Sequence, residues 1–371
     1  MNPLLEEIRH NPLIWMLVFV PIVLIAEAVA PSAHTLLFVL AVLAIVPLAA
    51  LLSHATESVA EKTGDAIGGL LNATLGNLTE LIIAIAALQA GEYMLVKASI
   101  AGAIVTNALF MLGASFLLGG LRHHVQDYNR AGGRLYSALL LMATIALLAP
   151  SAVADLDLAQ GDVMAQKLSA GLAVLLIAAY GLGLLFSLKT HKELFASADH
   201  GEAEKAAHEA TWPIGLAVGT LLVVTVLVAL VSEIFVGSVQ EAGKTLGMSP
   251  AFVGFIIVAL VGAAAEMAVA FSAARKDRLD LSVSIALGSA SQIALFVAPV
   301  LVLLSYFVGP KPMDLQFWPG AVTMVMISAV VSCFITNSGR SAWFIDALLI
   351  FIYVIFAMTL YVVPPGVHGA A

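Results

Sequence analysis

The sequence predicts an all-α polytopic membrane protein of about eleven transmembrane helices, built as one extra N-terminal helix followed by two inverted five-helix repeats. Three observations carry that expectation. The 371 residues are 61% hydrophobic and 11% charged, far above the roughly 45–50% apolar usage of soluble domains, and the mean hydropathy is +1.03. Apolar runs close to the ~20 residues that cross a bilayer as a helix recur along the whole chain. A stretch of the first half also reappears, altered, in the second.

The spans fall at about 12–30, 35–53, 66–88, 94–118, 135–153, 166–188, 212–232, 250–273, 281–307, 317–336 and 342–363. A transmembrane barrel would instead show segments of ~10 residues with strict apolar and polar alternation. The opening MNPLLEEIRHNP has two acids before Arg9, unlike a cleavable signal, so the first span is expected to be retained. The single cysteine, Cys333, lies inside a span and forms no intrachain disulfide.

Positive charges give the orientation. With eleven spans, the connections on the N-terminal side hold Arg9, Lys62, Arg122, Arg130, Arg134, Lys189, Lys192, Lys205, Arg275, Lys276, Arg278 and Arg340, against Lys97, Lys167, Lys244 and Lys311 opposite. The excess places the N-terminus in the cytoplasm and the C-terminus outside.

The repeat shows in SIAGAIVTNALFML from Ser99 and SIALGSASQIALFV from Ser284, where Thr106 meets Ser291 and Asn107 meets Gln292 without a gap. Glu80 lies 19 residues before Ser99 and Glu266 lies 18 before Ser284. Each repeat therefore carries a mid-span glutamate and, on its next helix, a polar stripe. Five helices is an odd number, so the second unit inserts upside down and brings the two acids together from opposite directions. The expected divisions are an N-terminal helix (1–33), a first repeat (34–188), a polar cytoplasmic linker (189–211) and a second repeat (212–371).

A carboxylate at the bilayer centre costs at least ~2.5–3.5 kcal/mol, so an intramembrane acid marks function by default. No basic residue in the spans is placed to neutralise Glu80 or Glu266, and the counter-charge must come from solution. Two carboxylates with the amide and hydroxyl oxygens of Asn77, Asn107, Thr79, Ser291 and Gln292 form an all-oxygen set that suits a hard divalent ion, calcium most naturally. Proton and metal would then compete for the same acids, and exposing such a pocket to the two sides in turn constitutes exchange. Gly68, Gly76, Gly254 and Gly262 permit close helix approach and local unwinding.

With these residues in place, GGLLNATLGNLTELIIAI (68–85) closely resembles the first signature of the calcium/proton antiporters of the cation/calcium exchanger superfamily, which has a Gly-Asn-x-x-Glu core. Residues 231–303 are similar to the second signature, and the likeness covers most of the chain. The resemblance implies Glu80 and Glu266 as paired cation and proton carboxylates, with Asn77, Asn107 and Gln292 beside them and Glu57 at the cytoplasmic entrance. The second core departs from the usual Gly-Asn-Ala-Ala-Glu-His: Ala263 and Met267 stand where the family has asparagine and histidine, and Gln240 where it often has an acid.

Other signals read plainly. GSVQEAGKT (237–245) has one residue too many for a phosphate loop, no nucleophile and base pair marks an enzyme, and the linker's His191, His200 and His208 read as a solvated loop. The expected activity is export of calcium or a related divalent cation in exchange for protons, from a prokaryotic inner membrane. A sodium-coupled exchanger, or a cation channel or sensor with a degenerate second half, stays open. The expected partners are calcium, protons and the lipid bilayer; no cofactor or nucleic acid is expected, and assembly into a homo-oligomer is left open.

Overall fold

A computed structural model describes residues 12–63, 65–154, 161–191 and 212–363. The N-terminal eleven residues, most of the 189–211 linker and the end of the chain lie outside the described residues. The regular structure among the described residues is helical apart from one short pair of strands, and residues 305–318 form an irregular connection. In chain order the helices are α1 (Leu13–Val29), α2 (His34–Lys62), α3 (Asp65–Leu75), α4 (Leu78–Gln89), α5 (Tyr93–His123), α6 (Arg130–Ala154), α7 (Val163–Thr190), α8 (Ile214–Leu246), α9 (Pro250–Gly262), α10 (Ala264–Arg275), α11 (Leu279–Leu304), α12 (Pro319–Thr336) and α13 (Trp343–Val362).

Among the described residues, eight helices are long and apolar enough to cross a membrane, or nine if the bent pair α9 and α10 is one span. This differs from eleven uninterrupted spans for a local reason. The expected third span is cut at Gly76 and Asn77 into α3 and α4, and the eighth is bent by 57° at Ala263. α1 runs only from Leu13 to Val29, shorter than each of the eight spanning helices. Asn72 and Glu80 therefore do not lie on one continuous helix.

The connections sort to two ends of the bundle. At one end, Val125–Asp127 (β1) pairs antiparallel with Arg340–Ala342 (β2). This clasp ties the connection after α5 to the one between α12 and α13, and Arg130 Nε donates to the Asn337 carbonyl at 2.7 Å. The turn between α10 and α11 joins it, since Gln126 Nε2 donates to Asp277 Oδ1 at 2.7 Å and the Asn129 amide donates to Asp280. At the opposite end, Tyr93 Oη donates to the Lys311 carbonyl at 2.6 Å, Lys97 pairs with Asp314 at 2.6 Å, and Ser151 and Ser169 accept from the backbone amides of Phe317 and Leu315. Each connecting segment needs such partners because its backbone groups cannot be left unpaired near the apolar core.

Glycines let the central helices touch. A methyl built on Gly102 of α5 would stand 2.1 Å from the Phe255 carbonyl oxygen of α9, and one on Gly254 would stand 2.7 Å from that of Leu95. The α5–α9 seam is thus backbone against backbone, the close approach that small residues allow in membranes. α8 packs along α2, with Phe38 stacked on Phe235 at 5.3 Å. Wider π turns interrupt α5 at Thr106–Met111, α9 at Val253–Val258 and α11 at Ile293–Val297; such turns often mark functional positions.

Gly102→Ala tests the seam. Alanine favours a helix over glycine by about 1 kcal/mol, so a net loss isolates the clash, and overpacking of about 1–3 kcal/mol is expected. The purified variant should melt below the parent in detergent; equal or higher melting temperature refutes the tight seam.

Candidate cation site

The two helix breaks place the two glutamates. Asn77 is the residue before α4, and Glu80 is the third residue of that helix; Ala263 is the residue before α10, and Glu266 is its third. A carboxylate three residues into a helix lies beside unpaired backbone N–H groups and the positive end of the helix dipole. That position eases the burial of negative charge in a region without bases. Among the described residues the ion pairs are Lys97–Asp314, Lys244–Glu241 and Arg340–Asp127, none of which involves either glutamate.

The carboxylates come together across the two halves. A methyl on Gly262 would stand 2.8 Å from Glu80 Cγ and 3.2 Å from its Oε1, so the Glu80 side chain lies across the break of the opposite half. Reciprocally, a methyl on Gly76 would reach both amide atoms of Gln292 at 3.7 Å. The Glu80 carboxylate is near enough to Glu266 for their charges to repel. Glu80 Oε1 and Glu266 Oε2 are each buried without a hydrogen-bond partner.

A polar chain joins the halves beside them. Asn107 Nδ2, on the π turn of α5, donates to Ser289 Oγ at 2.9 Å, and Ser289 Oγ donates to Asn77 Oδ1 at 2.8 Å. The Glu266 carboxyl lies within hydrogen-bonding reach of the same hydroxyl. Asn77 Nδ2 and Asn107 Oδ1 are left without partners. All three residues of the chain are buried.

The remaining expected residues divide. Thr79 is buried within the first turn of α4. Ser291 lines the approach to the site, but its hydroxyl donates to the Leu287 carbonyl at 2.8 Å within its own helix. Glu57 is exposed on α2, accepts from Ser53 Oγ at 3.3 Å, and acts on Glu266 through its charge. Ser289 was not expected as a site residue. Its signal was its position, three residues before Gln292 and so on the same face of α11.

Access is unequal. A cleft of about 440 Å³ runs from the clasp end, past Glu57, Ser187 and Ser284, between α3 and α11 to Glu266, Ser289 and Gln292. On its other side Glu80 borders only a void of about 10 Å³, with Ser99, Ile100 and Val258, about the smallest space that holds one water. Beyond that void lies the glycine seam of α5 and α9. Among the described residues no group of three or more His, Cys, Asp or Glu side chains could hold a metal.

The chain belongs to the sodium/calcium exchanger protein family, whose model matches residues 33–189 and 216–362. It is similar to the Ca(2+)/H(+) antiporter of Aphanothece halophytica, with 39% identity over 359 residues covering 94% of this chain and 96% of that one. It is 38% identical over 328 residues to the Ca(2+)/H(+) antiporter ChaA of Bacillus subtilis (strain 168), covering 88% and 92%. The solved structure of native YfkE matches with a TM-score of 0.79 and 34% identity, over 93% of this chain and 98% of that one. The sequence resemblance to a transporter family is thus shown.

Ser289→Ala removes the hydroxyl that joins Asn107 to Asn77. Leaving buried amide groups unpaired should cost about 1–3 kcal/mol. A lower melting temperature together with weaker calcium-dependent stabilisation is expected; an unchanged calcium effect would separate Ser289 from the site.

Proposed function

We propose that the chain moves calcium, or a related divalent cation, out of the cytoplasm in exchange for protons by alternating access around Glu80 and Glu266. The observation that carries this reading is the pair of buried carboxylates, each three residues past a helix break and without a basic partner among the described residues, meeting beside a cleft open at one end. Removed from water, two such acids need a neutralising charge. Either protons or one divalent cation provide it, and occupancy by one excludes full occupancy by the other. Asn77, Asn107 and Gln292 supply neutral oxygens, Ser289 orients two of those amides, and Glu57 draws cations to the entrance. Thr79 and Ser291 shape the surrounding walls.

The reading includes eleven crossings, with α1, the α3–α4 pair and the α9–α10 pair counted as one each. The extra helix (1–33) precedes two inverted repeats (34–188 and 212–371) joined by the linker (189–211). Support comes from the sorting of connections: those after α5, α10 and α12 meet at the clasp end, and those after α4 and α11 meet at the other. Arg122, Arg130, Arg134, Arg275, Lys276, Arg278 and Arg340 belong to the clasp end, which makes it the cytoplasmic side of a prokaryotic inner membrane. The names of the relatives, Ca(2+)/H(+) antiporters, favour calcium and protons as the exchanged ions.

In this arrangement the cleft faces the cytoplasm and the α5–α9 seam closes the outer route. Ser99 and Ser284, matched in the repeat, then occupy unlike surroundings. A methyl on Gly254 would stand 3.1 Å from the Ser99 amide nitrogen, whereas Ser284 lines the cleft. The opposite state closes α3 on α11 and parts α5 from α9.

In proteoliposomes, an imposed pH gradient should drive calcium uptake, and Glu80→Gln should abolish it. Flux that ignores the proton gradient but follows sodium supports the sodium-coupled exchanger, and flux that follows neither supports a channel. Linkage gives the sign with pH: protons bind the carboxylates that the cation needs, so apparent calcium affinity falls as pH falls, by about tenfold per unit for each proton displaced. Affinity independent of pH contradicts shared carboxylates.

Access is testable in a Cys333→Ala background. A cysteine at Ser284 should react with a membrane-impermeant thiol reagent applied at the clasp side, and one at Ser99 should be protected from both sides. Equal reactivity overturns the assignment of the closed seam.

A further inference from the structure

A second charged cavity lies at the clasp end, away from the carboxylates. It has a volume of about 460 Å³ between the last turns of α5 and α10, with Arg122, Arg275 and Lys276 at its rim and Leu118, Ala268 and Phe271 on its wall. All three basic side chains are exposed. Among the described residues none of them forms an ion pair.

The nearby acids are already engaged. Asp277 accepts from Gln126, Asp280 accepts from the Asn129 amide, and Asp127 pairs with Arg340 at 2.6 Å. The helix ends are themselves held together, since His123 Nε2 lies 3.2 Å from the Arg275 carbonyl oxygen. Three positive charges thus ring one opening with nothing among the described residues to balance them.

Depth and wall chemistry say what balances them. Trp343 and Phe344 are exposed just beside the groove, and a methyl on Gly120, two residues before Arg122, would stand 3.1 Å from Trp343 Cβ. Exposed aromatic residues at the end of an apolar bundle mark the headgroup level of a bilayer. Below that level the groove is lined by leucine, alanine and phenylalanine side chains. A free inorganic anion has no use for such a wall; an acyl chain does.

We propose that the α5–α10 groove binds an anionic phospholipid, with its phosphate held by Arg122, Arg275 and Lys276 and an acyl chain along Leu118 and Phe271. Basic pockets between transmembrane helices on the cytoplasmic side recognise anionic headgroups in this way. The site has a path to the carboxylates. Arg275 closes the helix whose first turn carries Glu266, and Phe271 packs edge-on against Phe110 at 6.5 Å, within the π turn that carries Asn107. A lipid seated here braces one end of α10.

The test uses the full chain, delipidated in a mild detergent and titrated with phosphatidylglycerol or phosphatidylcholine while its melting temperature is followed. Phosphatidylglycerol should raise the melting temperature saturably and phosphatidylcholine should not. The variant Arg275→Gln/Lys276→Gln should bind phosphatidylglycerol roughly 30-fold more weakly, at about fivefold for each cation removed. Arg134→Gln/Arg278→Gln, with the same loss of charge on the same side, should bind like the parent. If the first pair does not fold, Lys276→Gln alone should show the fivefold loss. Equal losses in both pairs, no preference for phosphatidylglycerol, or the same stabilisation by inorganic phosphate or glycerol phosphate at equal concentration would each overturn the lipid site; the last would indicate a soluble anion. None of these readouts depends on transport.

Discussion

The arrangement rests on one electrostatic constraint: two carboxylates in an apolar interior with no basic partner among the described residues. Fully ionised and isolated, they would be prohibitively costly to bury. The helix breaks ease that cost without neutralising it. Each glutamate sits in the first turn of a half-helix, where free N–H groups and the dipole favour negative charge. The preceding half-helices, α3 and α9, end at the same breaks. An uninterrupted helix offers no such first turn at mid-span. The shortness of α4 and the bend between α9 and α10 are therefore consequences of housing the acids.

The halves are related but not equivalent, and the differences occur in pairs. At the first break stands Asn77, whose side chain accepts from Ser289. The matching position at the second break is Ala263, and the residue of the first half aligned with Ser289 is Ile104. Both are fully buried. The asparagine and serine pair across the halves thus has as its counterpart a pair of alanine and isoleucine, also across the halves, so no amide is left stranded by the loss of its partner. The departure at Ala263 is a paired change, and this polar bridge between the halves runs through Asn77, Ser289 and Asn107.

Glu80, Glu266 and the polar stripes of α5 and α11 were legible in the sequence because acids and amides in apolar runs stand out by composition. The matched Ser99 and Ser284 segments exposed the repeat for the same reason. The breaks were less legible, since Gly76-Asn77 and Gly262-Ala263 differ little from the small residues that continue a membrane helix. Ser289 was missed because a serine among Gly288, Ala290 and Ser291 reads as a small packing residue; its role depends on Asn107, which lies 182 positions away in the chain. The clasp was invisible for another reason. Its strands are three residues each, too short for an alternating pattern, and their pairing spans more than 200 residues.

Ser289 also gives the polar bridge a dependence on protonation. A hydroxyl has one proton to donate and two lone pairs to accept with. Ser289 accepts from Asn107 and donates to Asn77, which uses its proton. A protonated Glu266 can donate to the remaining lone pair, and the Ser289 hydroxyl is then fully used, while Asn77 Nδ2 and Asn107 Oδ1 stay without partners. An ionised Glu266 can only accept, so it must compete with Asn77 for the one proton or turn to a cation. Deprotonation thus frustrates the bridge, and in the proposed exchange a bound cation would relieve it by giving the carboxylate and the freed amide oxygen a common partner. Because Asn77 sits at the break of one half and Ser289 on α11 of the other, the proposed exchange would loosen the link between the halves at the same step.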